Sequence, residues 1–186
     1  MINNCLFSNA VIGESSLDRM ACSLGGKVIL PLVIANVSQM LQNANWTHRF
    51  ASLMAISAIG EGCQAQMLVL LKQIVEAIIP FLNDSHPRVR YAACNALGQL
   101  ATDFSPEFEQ SFHAQVIPGL LSVLNDYANP RVQAHAGAAM VNFFEECSQD
   151  IVISYLDAVV LKIEEVLNNK IKEVIRFIHF FLLIYY

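Results

Sequence analysis

Asn83-Asp84-Ser85-His86-Pro87-Arg88-Val89-Arg90-Tyr91-Ala92-Ala93-Cys94-Asn95-Ala96-Leu97-Gly98-Gln99-Leu100 reads as a polar turn, a proline that opens a helix, and an amphipathic helix with small residues where a neighbour must come close. Proline is tolerated at the first helical position because its missing N–H would be unpaired there anyway. Shifted by about 41 residues, Arg49-Phe50-Ala51 falls on Arg90-Tyr91-Ala92, Ala55-Ile56 on Ala96-Leu97 and Ile59 on Leu100. Shifted by about 43 the other way, Pro130-Arg131-Val132 falls on Pro87-Arg88-Val89, and Ala136, Ala139, Met140 and Phe143 fall on Ala93, Ala96, Leu97 and Leu100. Two matches at nearly equal spacing make a repeat.

A period of about 40 to 47 residues with two helices per unit is that of a HEAT or armadillo solenoid, in which each unit packs only on its neighbours. The expected fold is therefore all-α, an α-α superhelix of about four helix pairs. An irregular N-terminus over 1–13 precedes the second helix of an incomplete unit over 14–26, which Gly25-Gly26 ends. Units follow at 27–63, 64–104 and 105–147, with Pro31, Pro80 and Pro118 in their first helices. A HEAT-like unit over 148–186, with helices at 150–167 and 170–186, closes the chain, and its stretch 173–186 is apolar around the whole helix circumference.

A hydrophobic content of 55% with 15% charge suits helices held between two others. No apolar run reaches the roughly 18 residues of a membrane span, and Met1–Ala10 lacks the basic flank of a secretory signal. The expected setting is the cytoplasm and nucleus, with no membrane partner. The net charge of −5, with only 11 scattered Lys and Arg, argues against nucleic acid and suits basic partners. Cys5, Cys22, Cys63, Cys94 and Cys147 form no CxxC and read as reduced, buried thiols. The histidines never stand at i, i+4, and no HExxH, Gly-rich phosphate loop or GxSxG occurs. No nucleophile stands with a base, so neither an enzyme nor a cofactor or metal is expected.

Two columns of the repeat carry chemistry. An acid or amide in each turn accompanies an arginine in the helix that follows: Asp84 with Arg88 and Arg90, Asp126 with Arg131, Asn45 with Arg49. A pair recurring at the repeat period reads as a ladder in which the turn carboxylate of one unit meets the arginine of its neighbour. At the far ends of the second helices Glu61, Thr102 and Glu145 align, followed one residue later by Gly62, Asp103 and Glu146. A carboxylate there meets the negative end of the helix dipole and costs about a few tenths of a kcal/mol. Stacking would join Glu61, Asp103 and Glu145 into an acidic stripe, with Asn95 and Asn142 one or two turns earlier, suited to the ammonium groups of a basic peptide. Solvated helix ends of ordinary acids are the alternative. Trp46, the single tryptophan, reads as a core or ridge residue.

Leu17-Asp18-Arg19-Met20-Ala21 with Leu24-Gly25-Gly26, Ser57-Ala58-Ile59-Gly60-Glu61-Gly62-Cys63, His86-Pro87-Arg88-Val89-Arg90-Tyr91-Ala92-Ala93-Cys94-Asn95, Thr102-Asp103-Phe104-Ser105-Pro106 and Arg131-Val132-Gln133-Ala134-His135-Ala136 resemble the importin-beta family, in its importin five (karyopherin beta three) branch. The likeness runs in order over residues 14–168. It implies a nuclear transport receptor, a HEAT superhelix that carries basic cargo with lysine-rich localisation signals through the nuclear pore and releases it on binding Ran-GTP. It implies second helices lining a concave cargo face, with Asp18, Glu61, Asn95, Asp103, Asn142 and Glu145 as the matching positions. Contact with nuclear pore proteins follows in the same way. The family's N-terminal units, and an acidic insertion before the Leu17-Asp18-Arg19 helix, are not in this sequence, which argues against Ran contact by this stretch. After Lys172 the chain leaves the family pattern, as a fragment or a truncated relative would. The competing expectation is a HEAT scaffold for protein interactions, or a relative without transport activity.

Overall fold

The computed structural model describes the backbone of residues 9–185 and the side chains of residues 11–172. Regular structure among the described residues is helical throughout: α1 (Asn9–Leu24), α2 (Gly26–Met40), α3 (Trp46–Ala58), α4 (Gln64–Leu68), α5 (Leu71–Ile78), a 3-10 segment (Ile79–Asn83), α6 (Pro87–Asp103), α7 (Glu107–Val123), α8 (Pro130–Glu145) and α9 (Gln149–Tyr185). Two compact units divide the chain, the first ending at Cys147 and the second starting at Ser148. The all-α HEAT solenoid occupies the first, as α1 and three helix pairs: α2 with α3, the α4–α5 segment with α6, and α7 with α8.

The opening sequence forms the middle of this stack. The Asp84 carboxylate accepts the His86 amide at 2.8 Å, and the His86 ring Nδ1 accepts the Arg88 amide at 3.3 Å, so polar side chains satisfy the start of α6 around Pro87. Because α6 lies between α3 and α8, its buried set covers much of its circumference: Val89, Ala92, Ala93, Cys94, Ala96, Leu97, Gly98, Leu100 and Ala101. Their small size sets the helix spacing. A Cβ on Gly98 would stand 3.1 Å from the Ala139 Cα of α8, tighter than ordinary contact. A Cβ on Gly62 would fall on the backbone of Ala21 and Cys22, so α1 reaches the end of α3 only past a residue with no side chain.

The ladder is present and runs between neighbouring units. Arg49 grips Asp84 through Nε and Nη2 at 2.7 and 2.9 Å, while Nη1 donates to the carbonyls of Asn43 and Ala44 in its own turn. Arg90 repeats the arrangement with Asp126, at 2.9 and 2.6 Å, and with the carbonyls of Asp84 and Ser85. Arg88 and Arg131 are not rungs; both are exposed. The residue that aligns with Arg90 in the next unit is Gln133, which is buried and donates to the Leu124 carbonyl at 2.6 Å.

Elsewhere the helices differ from the expected boundaries. α1 begins at Asn9, so residues 9–13 are helical and not irregular. The expected single helix around Pro80 is broken into α4, α5 and a 3-10 segment that takes Pro80 at its second position. In the second unit, a single helix, α9, replaces the expected pair. Neither glycine nor proline interrupts 149–185, and Asn168-Asn169 costs only about half a kcal/mol per residue relative to good helix formers, too little to force a turn. α9 exposes Ile153, Leu156, Val160, Leu161, Ile163, Leu167 and Ile171. The side chains of 173–186 lie outside the described residues, as does Cys5. No helix among the described residues is long and apolar enough to cross a membrane.

Two carboxylates give opposite pH signatures. Burial alone would raise the Asp84 carboxyl, but the Arg49 and His86 amide hydrogen bonds and the arginine charge outweigh it and hold it below its ordinary value. A depressed carboxyl stabilises the fold above its unfolded pKa, and that contribution is lost as pH falls through the folded value. Asp84→Ala, which strands Arg49 and the His86 amide, is expected to cost about 2–4 kcal/mol in urea denaturation at neutral pH. A cost below about 0.5 kcal/mol would remove the ladder from the stability account. Glu109, on α7, is 0% exposed, with no hydrogen-bond partner of good geometry at either oxygen. Burial raises its carboxyl; its own backbone amide and Ser105 offset part of this, and Glu146 and Glu107 add to it. A raised carboxyl stabilises the fold below its unfolded pKa and loses that contribution as pH rises through the folded value. Glu109→Gln is therefore expected to raise Tm at pH 7, by a margin that shrinks as pH falls toward 4; an unchanged or lowered Tm at pH 7 would contradict this.

An acidic and amide face on the second helices

One stripe of each second helix stays uncovered. On α6 it runs Arg88, Tyr91, Asn95, Gln99, Thr102 and Asp103, and on α8 Arg131, His135, Ala138, Asn142 and Glu145, at the three- and four-residue steps that put side chains on one helix face. Glu61, exposed in the turn that follows α3, continues this stripe.

The acidic end of the face is built around Asp103. Gln99 Nε2 donates to its Oδ1 at 2.8 Å, and Gln64 Nε2 donates to its main-chain oxygen at 2.5 Å. The Oδ2 atom lies over Gly60, where any Cβ would collide with it, and it is buried without a hydrogen-bond partner. Burial raises the Asp103 carboxyl; the Gln99 bond offsets part of the rise, and the charges of Glu61 and Asp18 add to it. Asp18, Glu61 and Asp103, drawn from α1 and the ends of α3 and α6, are thus close enough to repel one another. The Cys22 thiol donates to Asp18 at 3.6 Å, and one oxygen each of Asp18 and Glu61 lies with its sulfur in a group no wider than 4.8 Å. Local desolvation beside these carboxylates, and the charges of Asp18, Glu61 and Asp103, push the thiol pKa up although the residue is exposed. Cys22 is exposed, against the expectation of a buried thiol, whereas Cys63 and Cys94 are buried. The two carboxylate oxygens of this group are acceptors of the kind an ammonium group uses.

Asn95 sits at the centre. Its Nδ2 donates to Ser57 of α3 at 3.1 Å, and its Oδ1 lies 3.0 Å from His135 Nε2 of α8. Burial lowers the His135 pKa, so its ring is neutral and donates here. Asn95 thereby ties three successive second helices together. Asn142 donates to the Gly98 carbonyl at 3.4 Å, and with Glu145, Glu146, Thr102, Ser105 and Pro106 it lines an open polar hollow of about 410 Å³. Asp18, Glu61 and Asp103 come together in one group, Asn142 and Glu145 in another, with Asn95 between helices. The repeat columns did not indicate Ser57, Gln64, Gln99 or His135, which hold the acids and amides in place; Ser57, Gln64 and His135 meet their partners across units, which no spacing within one unit signals. Trp46 is half-buried, stacked on His86 at 3.9 Å with the Arg88 guanidinium 5.6 Å from its ring centre.

The family model for a HEAT-like repeat matches residues 46–100. Importin subunit beta-3 of Saccharomyces cerevisiae is 41% identical over 156 residues, which are 84% of this chain and 14% of that protein. The chain therefore spans about one seventh of the length of that curated relative. The crystal structure of Kap121p bound to RanGTP superposes with a TM-score of 0.80 at 37% identity, covering 87% of this chain and 16% of that one. Kap121p structures bound to the SUMO protease Ulp1p and to Nup53p match as well. A Kap121p variant with seven substitutions matches with a TM-score of 0.78 at 38% identity, over 80% of this chain and 14% of that one. Five of its substituted residues are, in order, Asp, Glu, Asn, Asp and Asn, spaced at the same intervals as Asp18, Glu61, Asn95, Asp103 and Asn142. The other two are Arg and Gln, where the same spacing gives this chain Glu14 and Ser15. Identity drops from 41% with unsubstituted Kap121p to 38% with the variant over the same share of this chain, as it must if substituted positions are shared ones. Identity along most of its length and a superimposable stack of helix pairs make this chain a member of the importin-beta family.

Proposed function

We propose that the uncovered face of α3, α6 and α8 takes up lysine-rich localisation signals of cargo proteins, as the cargo-binding segment of a nuclear import receptor. The observation that carries the reading is the convergence of Asp18, Glu61 and Asp103, close enough to repel one another and none of them in an ion pair among the described residues. A lysine ammonium brings three donors and a positive charge, and it would neutralise the repulsion among these three carboxylates. Asn95, Asn142 and Glu145 offer further acceptors along the face. Each exposed ion pair contributes roughly 0–1 kcal/mol, so useful affinity requires several subsites and falls with salt.

The spacing shared with the Kap121p variant supports Asp18, Glu61, Asn95, Asp103 and Asn142 as a functional set. Kap121p has been solved with RanGTP, with Ulp1p and with Nup53p. We extend the same partner classes, Ran-GTP, cargo and a nuclear pore protein, to the full receptor of which this segment forms part, moving between cytoplasm and nucleus.

A fluorescent lysine-rich peptide is expected to bind the chain with an affinity that falls steeply between 50 and 200 mM salt. Glu61→Gln with Asp103→Asn should weaken binding about tenfold or more and flatten the salt dependence. Unchanged affinity in that double variant would overturn the reading. The pH dependence has a definite sign. Binding requires ionised carboxylates, and the raised Asp103 carboxyl protonates earlier than an ordinary one as pH falls. Affinity should therefore drop between pH 7 and 5, and Asp103→Asn should reduce that drop; a flat profile in the unsubstituted chain would count against Asp103 as a contact.

A further inference from the structure

We infer that a groove at the opposite end of the same face receives an anionic side chain of the bound peptide. The inference rests on the cargo-face reading and adds a second chemistry to it. The groove, about 730 Å³, lies between the starts of α6 and α8, with Phe50, Pro87, Arg88, Tyr91, Arg131 and His135 among its walls. Arg88 and Arg131 come from the repeated Pro-Arg-Val at the second helical position of α6 and α8, so the stack places two guanidinium groups one unit apart on one hollow.

Neither arginine takes part in an ion pair among the described residues, and neither helix has an acid in its first turn. A cation there faces the positive end of the helix dipole, so local electrostatics disfavour both arginines just as they disfavour the acids at the far ends of the same helices. Part of the wall is held by ring stacking. Arg88 lies over Trp46, which is stacked on His86, and Tyr91 is stacked on His135 at 4.1 Å. His135 in turn meets Asn95, so groove and acidic face share a residue contact.

An anion gains from both guanidinium groups and both helix starts at once. A nucleic acid fits poorly, since two arginines neutralise few phosphates and the adjoining carboxylates repel the rest. From Arg88 to Asn95, α6 rises about 10 Å, which is about three residues of extended peptide. A peptide whose lysine reaches Asn95 thus places a residue about three positions away in the groove. A carboxylate and a phosphoryl group share the required chemistry.

The test uses the full 186-residue chain and fluorescent peptides with one lysine run and Glu, Gln or phosphoserine three residues to either side. The Glu and phosphoserine peptides are expected to bind about three- to tenfold more tightly than the Gln peptide. Arg88→Gln with Arg131→Gln should erase that preference, so that the Glu, Gln and phosphoserine peptides bind alike. Arg131→Gln alone should reduce it without touching the Trp46 stack, and Arg88→Lys should retain part of it. A preference for phosphoserine only would narrow the ligand to a phosphoryl group. Equal binding of all three peptides, with lysine dependence intact, would overturn this inference and leave the acidic face standing; loss of all lysine-dependent binding would overturn both. Tighter binding of an oligothymidylate, abolished by the arginine substitutions, would reassign the groove to nucleic acid.

Discussion

The stack depends on one recurring interaction, an arginine that holds its own turn through two carbonyls and the next unit's turn through a carboxylate. Arg49 with Asp84, and Arg90 with Asp126, are mostly buried and have more than one hydrogen bond each. A helix pair packed by small apolar residues alone could slide, because alanine faces offer little shape to lock. The ladder removes that freedom, and Gly98 and Gly62 then admit the close approach it dictates. With the units in register, the uncovered stripes of α3, α6 and α8 lie side by side as a surface. The face is therefore a property of the stacking and not of any one helix.

That surface is built against local electrostatics. Carboxylates cluster at helix C-terminal ends, arginines at helix N-terminal starts, and Asp103 keeps a buried oxygen without a donor. Each arrangement costs stability, and in the proposed reading a ligand of the opposite charge would relieve the two charge clusters. Hydrogen bonds from Gln99 and Gln64 hold Asp103 in place, so little ordering would remain to be done on the proposed binding.

The sequence made the repeat legible because Pro-Arg-Val and the alanine columns recur at nearly constant spacing. It also revealed the ladder's logic, but not its members: Arg88, Arg90 and Arg131 all stand beside turn acids, and only three-dimensional stacking selects Arg49 and Arg90 while leaving Gln133 in the third place. Boundaries were less legible where signals were weak. Asn168-Asn169 looked like a turn, yet asparagine is only mildly unfavourable inside a helix, and α9 runs through it. Cys22 matched an apolar pattern but faces Asp18 and Glu61, because α1 is covered on one side only. Of the candidate site, the acids Glu61, Asp103 and Glu145 followed from aligned columns, Asn95 and Asn142 from their place one or two turns earlier, and Asp18 from family likeness alone. The buried Glu109 and the link from Ser57 through Asn95 to His135 could not be read, since each depends on which residues of different units meet.

The most direct test of the account is a map of backbone amide shifts in the isotopically labelled chain during titration with a lysine-rich peptide. The account predicts shifts concentrated at the ends of α3 and α6 around Glu61 and Asp103, at Asn95, and at Asn142 and Glu145 of α8, moving together with one affinity. The largest shifts falling instead on the first helices α2, α5 and α7, with the second-helix face undisturbed, would contradict it.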